Sequence, residues 1–565
     1  MSEGERDGGA GTGRGDGLLF LPLGGAGEIG MNLTLYGYGG KWLMVDLGVT
    51  FGDPRAPGVE IVMPDPEFIV ERRADLLGLV ITHAHEDHLG AVPFLWPRLK
   101  CPVYATGFSA SILRRKLEEV GLAGRVPITE VTPGRPFKIG PFEVELIYIT
   151  HSIPEPNALA LRTPAGTVLH TGDWKIDPSP MLGPLTDEAA LRRAGDEGVL
   201  ALVGDSTNAM VPGESGSEAD VRAALTELIG RCRRRVAVGC FSSNIARIES
   251  IAIAAARHDR HVGLVGRSLW RMCEAAQENG YLRDAPLLLD EDEASFIPRD
   301  RIVLVCTGSQ GEPRSALARI ARDEHPHIGL ERGDTVIFSS RVIPGNEVVI
   351  GQLQNGLVRL GVEVITLDNA PADLPGPIHV SGHPARDELA RMYQWIRPRI
   401  AIPVHGEARH MQAHADLARL CQVPHAIVPA NGTLIRLSPE GPQVVDRVTS
   451  GRLALDGERL VPIEGAIFRG RTSVLWNGVL VATLVVDRTG RLVGEPQISA
   501  PGLFDPDADQ DVRDEISAAI SEALARLSKT SDDEAIEKAA RRAIRRVVKS
   551  ERGKKPATDI HLVRV

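Results

Sequence analysis

No CxxC pair occurs among the six cysteines, Cys101, Cys232, Cys240, Cys273, Cys306 and Cys421, which lie scattered through 565 residues. That spacing excludes a thiolate zinc finger and a disulfide scaffold, and reads as the reduced thiols of a cytoplasmic protein. No stretch approaches the roughly 20 uninterrupted apolar residues of a membrane span, and mean hydropathy is −0.06, so no membrane role is expected. The Gly-rich, polar stretch 1–17 lacks the apolar centre of a signal peptide and reads as a disordered tail. Basic residues are in deficit: 64 Lys and Arg stand against 74 Asp and Glu, a net charge of −10. This counts against a passive nucleic-acid coat, but not against an enzyme with a local basic channel. Internal repeats are missing as well. What the chain does have is length for several domains, with 43% apolar and 24% charged residues to build real cores.

Short apolar runs dominate the first part. Leu18 to Leu23, Asn32 to Tyr36, Trp42 to Asp46, Leu77 to Thr82, Phe142 to Tyr148, Ala158 to Arg162, Val168 to Thr171 and Val199 to Gly204 read as strands. One helical spacing, Ser111 to Gly121, interrupts them. From about residue 206 helical patterns (Ala219 to Arg231, Ile245 to Arg257) alternate with apolar strands (Val236 to Cys240, Val262 to Val265, Ile302 to Cys306, Thr335 to Ser339). That alternation predicts a parallel sheet covered by helices. Near the end, Ile516, Ile520, Leu524 and Leu527 form one helical stripe. A second helix is expected to start at a capping box of Ser531 with Glu534.

The most informative segment is Thr82-His83-Ala84-His85-Glu86-Asp87-His88, which follows an apolar strand. Two imidazoles two residues apart in an extended loop point to the same side and can grip one metal. Asp87 and His88 turn towards a second site. Later strands end in His151 and in Asp173, and a carboxylate can bridge two metals. Taken alone, His151 would more often be an ordinary strand-end histidine; its place after HxHxDH makes it a ligand candidate. His170, inside its strand, reads as structural.

This order resembles the metallo-β-lactamase superfamily. The resemblance implies an αββα sandwich with a binuclear centre at one edge, and an early strand-end residue, Asp46, that orients a ligand. The last histidine is displaced to His405, in Pro403-Val404-His405-Gly406-Glu407. The intervening insert looks like a β-CASP domain: Gly204-Asp205-Ser206-Thr207-Asn208 and His379-Val380-Ser381-Gly382-His383 resemble its motifs. Further segments are similar to bacterial ribonuclease J: Gly24 to Gly30, His151 to Pro154, Phe241 to Asn244, Gly266 to Ser268 and Cys306 to Pro313. The fold class implied is α/β, a metallo-β-lactamase sandwich with an inserted β-CASP α/β domain and a small C-terminal α/β domain. The expected divisions are 18–205 and 373–447 for the sandwich, 206–372 for the insert, 448–460 for a linker and 461–565 for the last domain.

The resemblance implies a ribonuclease with 5′-to-3′ exonuclease and endonuclease activity, acting through metal-activated hydroxide on the phosphodiester. His83, His85, His151 and Asp173 would hold one divalent ion. Asp87, His88, Asp173 and His405 would hold the other. Zinc is expected, with manganese or magnesium as alternatives. His383 with Asp205 is the expected proton-transfer pair, although a structural turn and a strand-end cap suit them too. Ser243, Asn244, His379, Val380, Ser381, Gly382 and His383 would form the substrate pocket for a 5′-monophosphate, while Ser243 and Asn244 equally suit a helix cap. A calcium site of Gly58, Glu60 and Asp456 is implied, where ordinary loop chemistry is the alternative. The partners expected are single-stranded RNA and further copies of the chain, as a homodimer or homotetramer. The basic runs Arg231–Arg235 and Arg541–Lys549 suit either phosphate contact or a solvated face. A small-substrate hydrolase and a DNA-directed nuclease of the same fold, and a metal-dead RNA-binding or scaffold protein, are the rival readings.

Overall fold

The structure, a computed structural model, describes residues 17–505, 508–528 and 532–565. The proposed tail up to residue 16 and the proposed cap Ser531 lie outside the described residues. The chain divides into two units, one of residues 1–50 and 63–450, the other of residues 51–62 and 451–565.

In the first unit two sheets face each other. One runs in the order Gln443–Arg447, Thr433–Arg436, Leu19–Gly24, Leu33–Tyr38, Lys41–Val45, Leu76–Val80, Val103–Ala105, Ile128–Glu130. The other runs Phe137–Ile139, Phe142–Tyr148, Asn157–Thr163, Gly166–His170, Ala201–Asp205, Ile400–Val404, His425–Ala426. Alternate residues point to opposite faces of a strand. Leu43, Val45 and Val80 therefore share one core with Val144, Leu146, Val203 and Ile402. The far face of the second sheet, through Ile147, Leu169, Leu202 and Ala401, packs on the helices Glu188–Glu197, Arg386–Ile396 and Ala408–Leu420.

Between Ala201–Asp205 and Ile400–Val404 the chain builds a six-stranded parallel sheet in the order Leu288–Leu289, His261–Val265, Ile302–Cys306, Val236–Gly239, Thr335–Phe338, Glu363–Ile365. Its central strands Ile302–Cys306, Val236–Gly239 and Thr335–Phe338 are buried throughout, which is why they read as unbroken apolar runs. The insert leaves and re-enters through neighbouring parallel strands, with Asp205 paired to Val404. His405 is thus brought beside Asp205 although the whole insert separates them in sequence.

The second unit has its own core. Strand Val479–Val486 pairs in parallel with Ala557–Arg564 and antiparallel with Gln497–Ser499. Its alternate residues Leu480, Ala482, Leu484 and Val486 pack under the helices Gln510–Ala525 and Asp533–Arg552. The latter helix is capped by Asp532, whose carboxylate accepts from the Ala535 N–H. In the stretch read as a linker, Arg452–Asp456 and Arg459–Pro462 form an antiparallel hairpin. Gly457, at φ +63°, opens its two-residue loop, and Leu453, Ala454 and Val461 are buried.

Candidate metal centre and active site

Strand Leu76–Val80 delivers Thr82, His83 and His85 in extended backbone, and the helical turn Glu86–Leu89 then swings Asp87 and His88 round. The turn lies against Gly48, where a Cβ would sit 1.7 Å from the Asp87 carbonyl oxygen, so no side chain fits. Asp46 and His405 hold left-handed backbone, at φ +60° and +50°. Few non-glycine residues adopt this region, Asp and His more readily than most, and here it turns both side chains into the site.

Each imidazole is oriented by a partner on its outer nitrogen. Asp46 Oδ2 accepts from His88 Nδ1 at 2.7 Å. Thr82 donates its hydroxyl to Asp46 Oδ2 at 2.9 Å, so it accepts from His83 Nδ1 at 3.0 Å. The Gly382 carbonyl accepts from His151 Nδ1 at 2.5 Å. Thr207 donates to Asp205 Oδ1 at 2.7 Å and accepts from His405 Nδ1 at 2.9 Å. The His83, His88, His151 and His405 Nε2 atoms are therefore left pointing inward, that of His88 also 3.1 Å from Asn32 Nδ2. His83 Nε2 and His151 Nε2 both face His85 Nδ1, at 3.0 and 3.1 Å, while His85 Nε2 meets Ser243 Oγ at 3.1 Å.

These atoms fall into overlapping groups: His83, His85, His151 with Asp173; Asp87, His88, His405 with Asp173; and Asp205, His383, His405 with Asp173. Asp173 is common to all three. It is 2% exposed, and neither carboxylate oxygen has a hydrogen-bond partner, though His88 Nε2 lies 3.2 Å from Oδ2. A buried, unpartnered carboxylate among converging lone pairs is costly unless a cation compensates it. The residues present fit divalent ions.

The electrostatics agree. Burial, reinforced by neighbouring imidazoles, holds His83 and His151 well below their ordinary value. Burial likewise brings His85 down to about 4. Burial thus favours the neutral form of these rings, the form in which an imidazole can ligate a metal. At His88 and His405 burial opposes charge, yet the surrounding carboxylates, Asp173 foremost, raise both well above the ordinary value. The carboxylates thus demand positive charge, which protons or a metal must supply. His383 Nδ1 lies 2.8 Å from Asp205 Oδ2. Burial lowers its basicity, but Asp205 and then Asp173 more than reverse this.

The substrate-pocket residues divide. Ser381 Oγ accepts from Asn208 Nδ2 at 2.8 Å and from the His383 N–H at 3.1 Å, which leaves its own proton to donate. His379 Nδ1 lies 3.2 Å from Nη1 of the fully buried Arg247, and burial followed by that cation lowers it to about 3. Asn244 caps helix Ile245–Arg257 by accepting from the Arg247 N–H, whereas Ser243 reaches His85. Val380 is buried, and Gly382 lies so close to His151 that a Cβ would be 2.8 Å from Nδ1. Of the residues read for calcium, Asp456 takes both guanidinium nitrogens of Arg471, at 3.0 and 2.6 Å. Gly58 turns at φ +82°, and Glu60 and Asp456 join no cluster of ligand atoms among the described residues. Sequence reading missed Thr82, Thr207, Asn208 and Arg247. Thr207 had a signal: an Asp two residues before a Thr suits the Asx turn seen here, where Asp205 Oδ1 accepts from the Thr207 N–H.

Comparison with known proteins agrees with this geometry. Residues 27–213 match the Metallo-beta-lactamase superfamily, and 233–357 match the Ribonuclease J beta-CASP domain. Residues 377–425 match a Zn-dependent metallo-hydrolase RNA specificity domain, and 467–565 the Ribonuclease J C-terminal domain. The chain is 45% identical to Ribonuclease J of Sinorhizobium meliloti over 97% of both chains. It is 40% identical to Ribonuclease J of Mycolicibacterium smegmatis over 94% of both. A crystal structure of an Enterococcus faecalis protein of unknown function shares the fold, with a TM-score of 0.50 and 15% identity over 74% of this chain and 100% of that one. With clusters of side chains that fit divalent ions and a relative of this identity along nearly its whole length, the chain is a metal-dependent ribonuclease and belongs to the ribonuclease J family.

Proposed function

We propose that the chain degrades single-stranded RNA both from 5′-monophosphate ends and internally, with one divalent ion held by His83, His85, His151 and Asp173 and another by Asp87, His88, Asp173 and His405. The observation that carries this reading is the buried, unpartnered Asp173 carboxylate at the intersection of the ligand groups. Zinc suits the histidine-rich donor set, with manganese or magnesium as alternatives. Divalent ions bound there would supply Lewis acidity towards water and phosphate oxygens.

The remaining chemistry belongs to side chains. Asp205 favours the protonated form of His383, whose ring is 23% exposed, so that it can meet RNA and donate to the departing 3′-oxygen. Ser381 offers its remaining proton, and Ser243 its hydroxyl, to a terminal phosphate; neutral His379 sits on the same loop as Ser381. Self-association is part of the proposal, supported by Leu475 and Trp476, 65% and 71% exposed on the second unit. A cytoplasmic setting accords with the free cysteines, and among the described residues no helix is long and apolar enough to cross a membrane. The deciding experiment digests one RNA labelled at each end, in 5′-monophosphate and 5′-triphosphate forms. Mononucleotide release from the 5′ end, faster for the monophosphate, is expected. Equal rates on both forms, or release from the 3′ end, would refute the terminal-phosphate reading.

A further inference from the structure

We propose that the solvent face of helix Asp533–Arg552, with the lysines just beyond it, is a second RNA-binding surface that grips the phosphate backbone without reading bases. The inference rests on the ribonuclease reading and adds to it a binding surface on the second unit.

Between Asp533 and Lys555 nine Lys and Arg stand against four Asp and Glu, in a chain whose net charge is −10. Their placement is ordered. Ile536, Ala540, Ala543, Ile544, Val547 and Val548 fill the buried stripe. Lys538, Arg542, Arg545 and Lys549, spaced by four, three and four residues, run along the opposite side and are exposed. Arg546 flanks them, and Lys554 and Lys555 continue past the helix end.

An ordinary solvated helix face mixes signs and spends its cations on pairs one turn apart. Here Arg541 does so with Glu537, and Arg552 pairs with Asp509. Among the described residues none of the four stripe cations has an ion pair or a side-chain hydrogen bond. The other basic run behaves differently. Arg231 pairs with Glu227 and Asp373, Arg234 with Glu331, and Arg235 donates to the Gly329 carbonyl at 2.9 Å. The favourable end of the helix dipole accounts for Lys549 at most, because that effect fades within the last turn.

The ligand chemistry follows from the shape. At 1.5 Å per residue the stripe is about 16 Å long, enough for roughly four or five phosphates of a stacked strand. The stripe contains no aromatic residue on which bases could stack. Contacts of this kind are salt-dependent and indifferent to sequence.

The test uses the full chain carrying Lys538→Gln, Arg542→Gln, Arg545→Gln and Lys549→Gln together. A control variant carries Arg73→Gln, Arg125→Gln, Lys138→Gln and Arg257→Gln, exposed and dispersed, for the same loss of charge. Affinity for a long unstructured RNA is measured under chelation between about 50 and 200 mM salt, and turnover of a 5′-monophosphorylated tetranucleotide is measured with metal. The stripe variant should bind the long RNA at least about tenfold more weakly, with the log–log salt slope shallower by about 3, since each single-strand phosphate contact contributes about 0.7. Its tetranucleotide turnover should match the parent's. Unchanged long-RNA affinity and slope would overturn the proposal, and coupled to lost polyglutamate binding would assign the stripe to an acidic protein. An equal loss in the control variant would also overturn it. A parent that fails to turn over the tetranucleotide would instead refute the ribonuclease reading.

Discussion

Thr207 has no metal-ligating atom in any of the ligand groups, yet the geometry of two groups depends on it. Its single proton goes to Asp205, so its oxygen must accept from His405 Nδ1, and this presents His405 Nε2 to Asp87 Oδ2 at 3.0 Å. Removing such a partner behind a ligating histidine ordinarily costs about 10–100-fold in metal affinity or activity. Thr207→Val should show that loss in metal titration and in RNA cleavage alike, and Thr207→Ser should recover most of it. A valine variant with parental metal affinity would show that His405 is held by the backbone alone. Ser381 poses a different question, because its oxygen touches Asn208 and the His383 N–H while its proton remains free. Losing a hydrogen bond to a charged phosphate is worth about 1.5–3 kcal/mol, or about ten- to a hundredfold in rate. Ser381→Ala should slow digestion from a 5′-monophosphate by that factor and spare internal cleavage of a circular RNA. Equal slowing of both would mean that Ser381 acts through His383 and not on the terminal phosphate.

Helices Glu218–Arg231 and Ile245–Arg257 are joined by a buried ion pair, Glu218 with Arg247, at 2.7 Å. Arg247 also donates to the Ser339 carbonyl and hydroxyl, at 2.9 and 2.6 Å, and so ties the helices to the end of strand Thr335–Phe338. Burial would raise the Glu218 carboxyl, but Arg247 overrides it and brings the group from 4.5 down to about 2. A depressed carboxyl stabilises the fold fully above its unfolded value; that contribution is lost as pH falls from about 4.5 towards 2. Arg247→Met should therefore destabilise the first unit by about 3–5 kcal/mol at neutral pH, with the deficit shrinking as acid neutralises the orphaned Glu218. A deficit independent of pH would show that the lost hydrogen bonds, not the charge, matter. Buried strands such as Ile302–Cys306, and helix Ile245–Arg257, were legible because apolar period and caps agree locally. The HxHxDH turn was legible because its ligands are close in sequence. The Glu218–Arg247 pair was not, since nothing in a sequence pattern marks a charged residue that the fold will bury. The hairpin at Gly457 was passed over despite its Asp-Gly signal, because short strands around polar residues resemble a linker.

At the scale of the whole chain, the ligand candidates come from widely separated segments, yet all of them lie in the unit of residues 1–50 and 63–450. Strand ends at His83, His151, Asp173 and His405 converge only when both sheets and the insert's two entry strands are formed. A bound cation therefore stabilises the assembled unit and nothing less. The second unit has a separate core under Gln510–Ala525 and Asp533–Arg552, and contributes no residue to the ligand groups. A ligand that binds only the native form adds about 2.7 kcal/mol when it is present at a hundred times its dissociation constant. For a domain of a few hundred residues that corresponds to a shift of several degrees in the melting temperature. Calorimetry with and without a strong chelator should accordingly move the transition of the first unit down by several degrees and leave that of the second where it was. Restoring zinc, or manganese, should return it. His83→Ala should melt alike with and without chelator at that site's share of the shift, while retaining the parental far-UV spectrum. If chelation moved both transitions together, the two units would unfold as one; if it moved neither, the converging lone pairs around Asp173 would not be a metal centre.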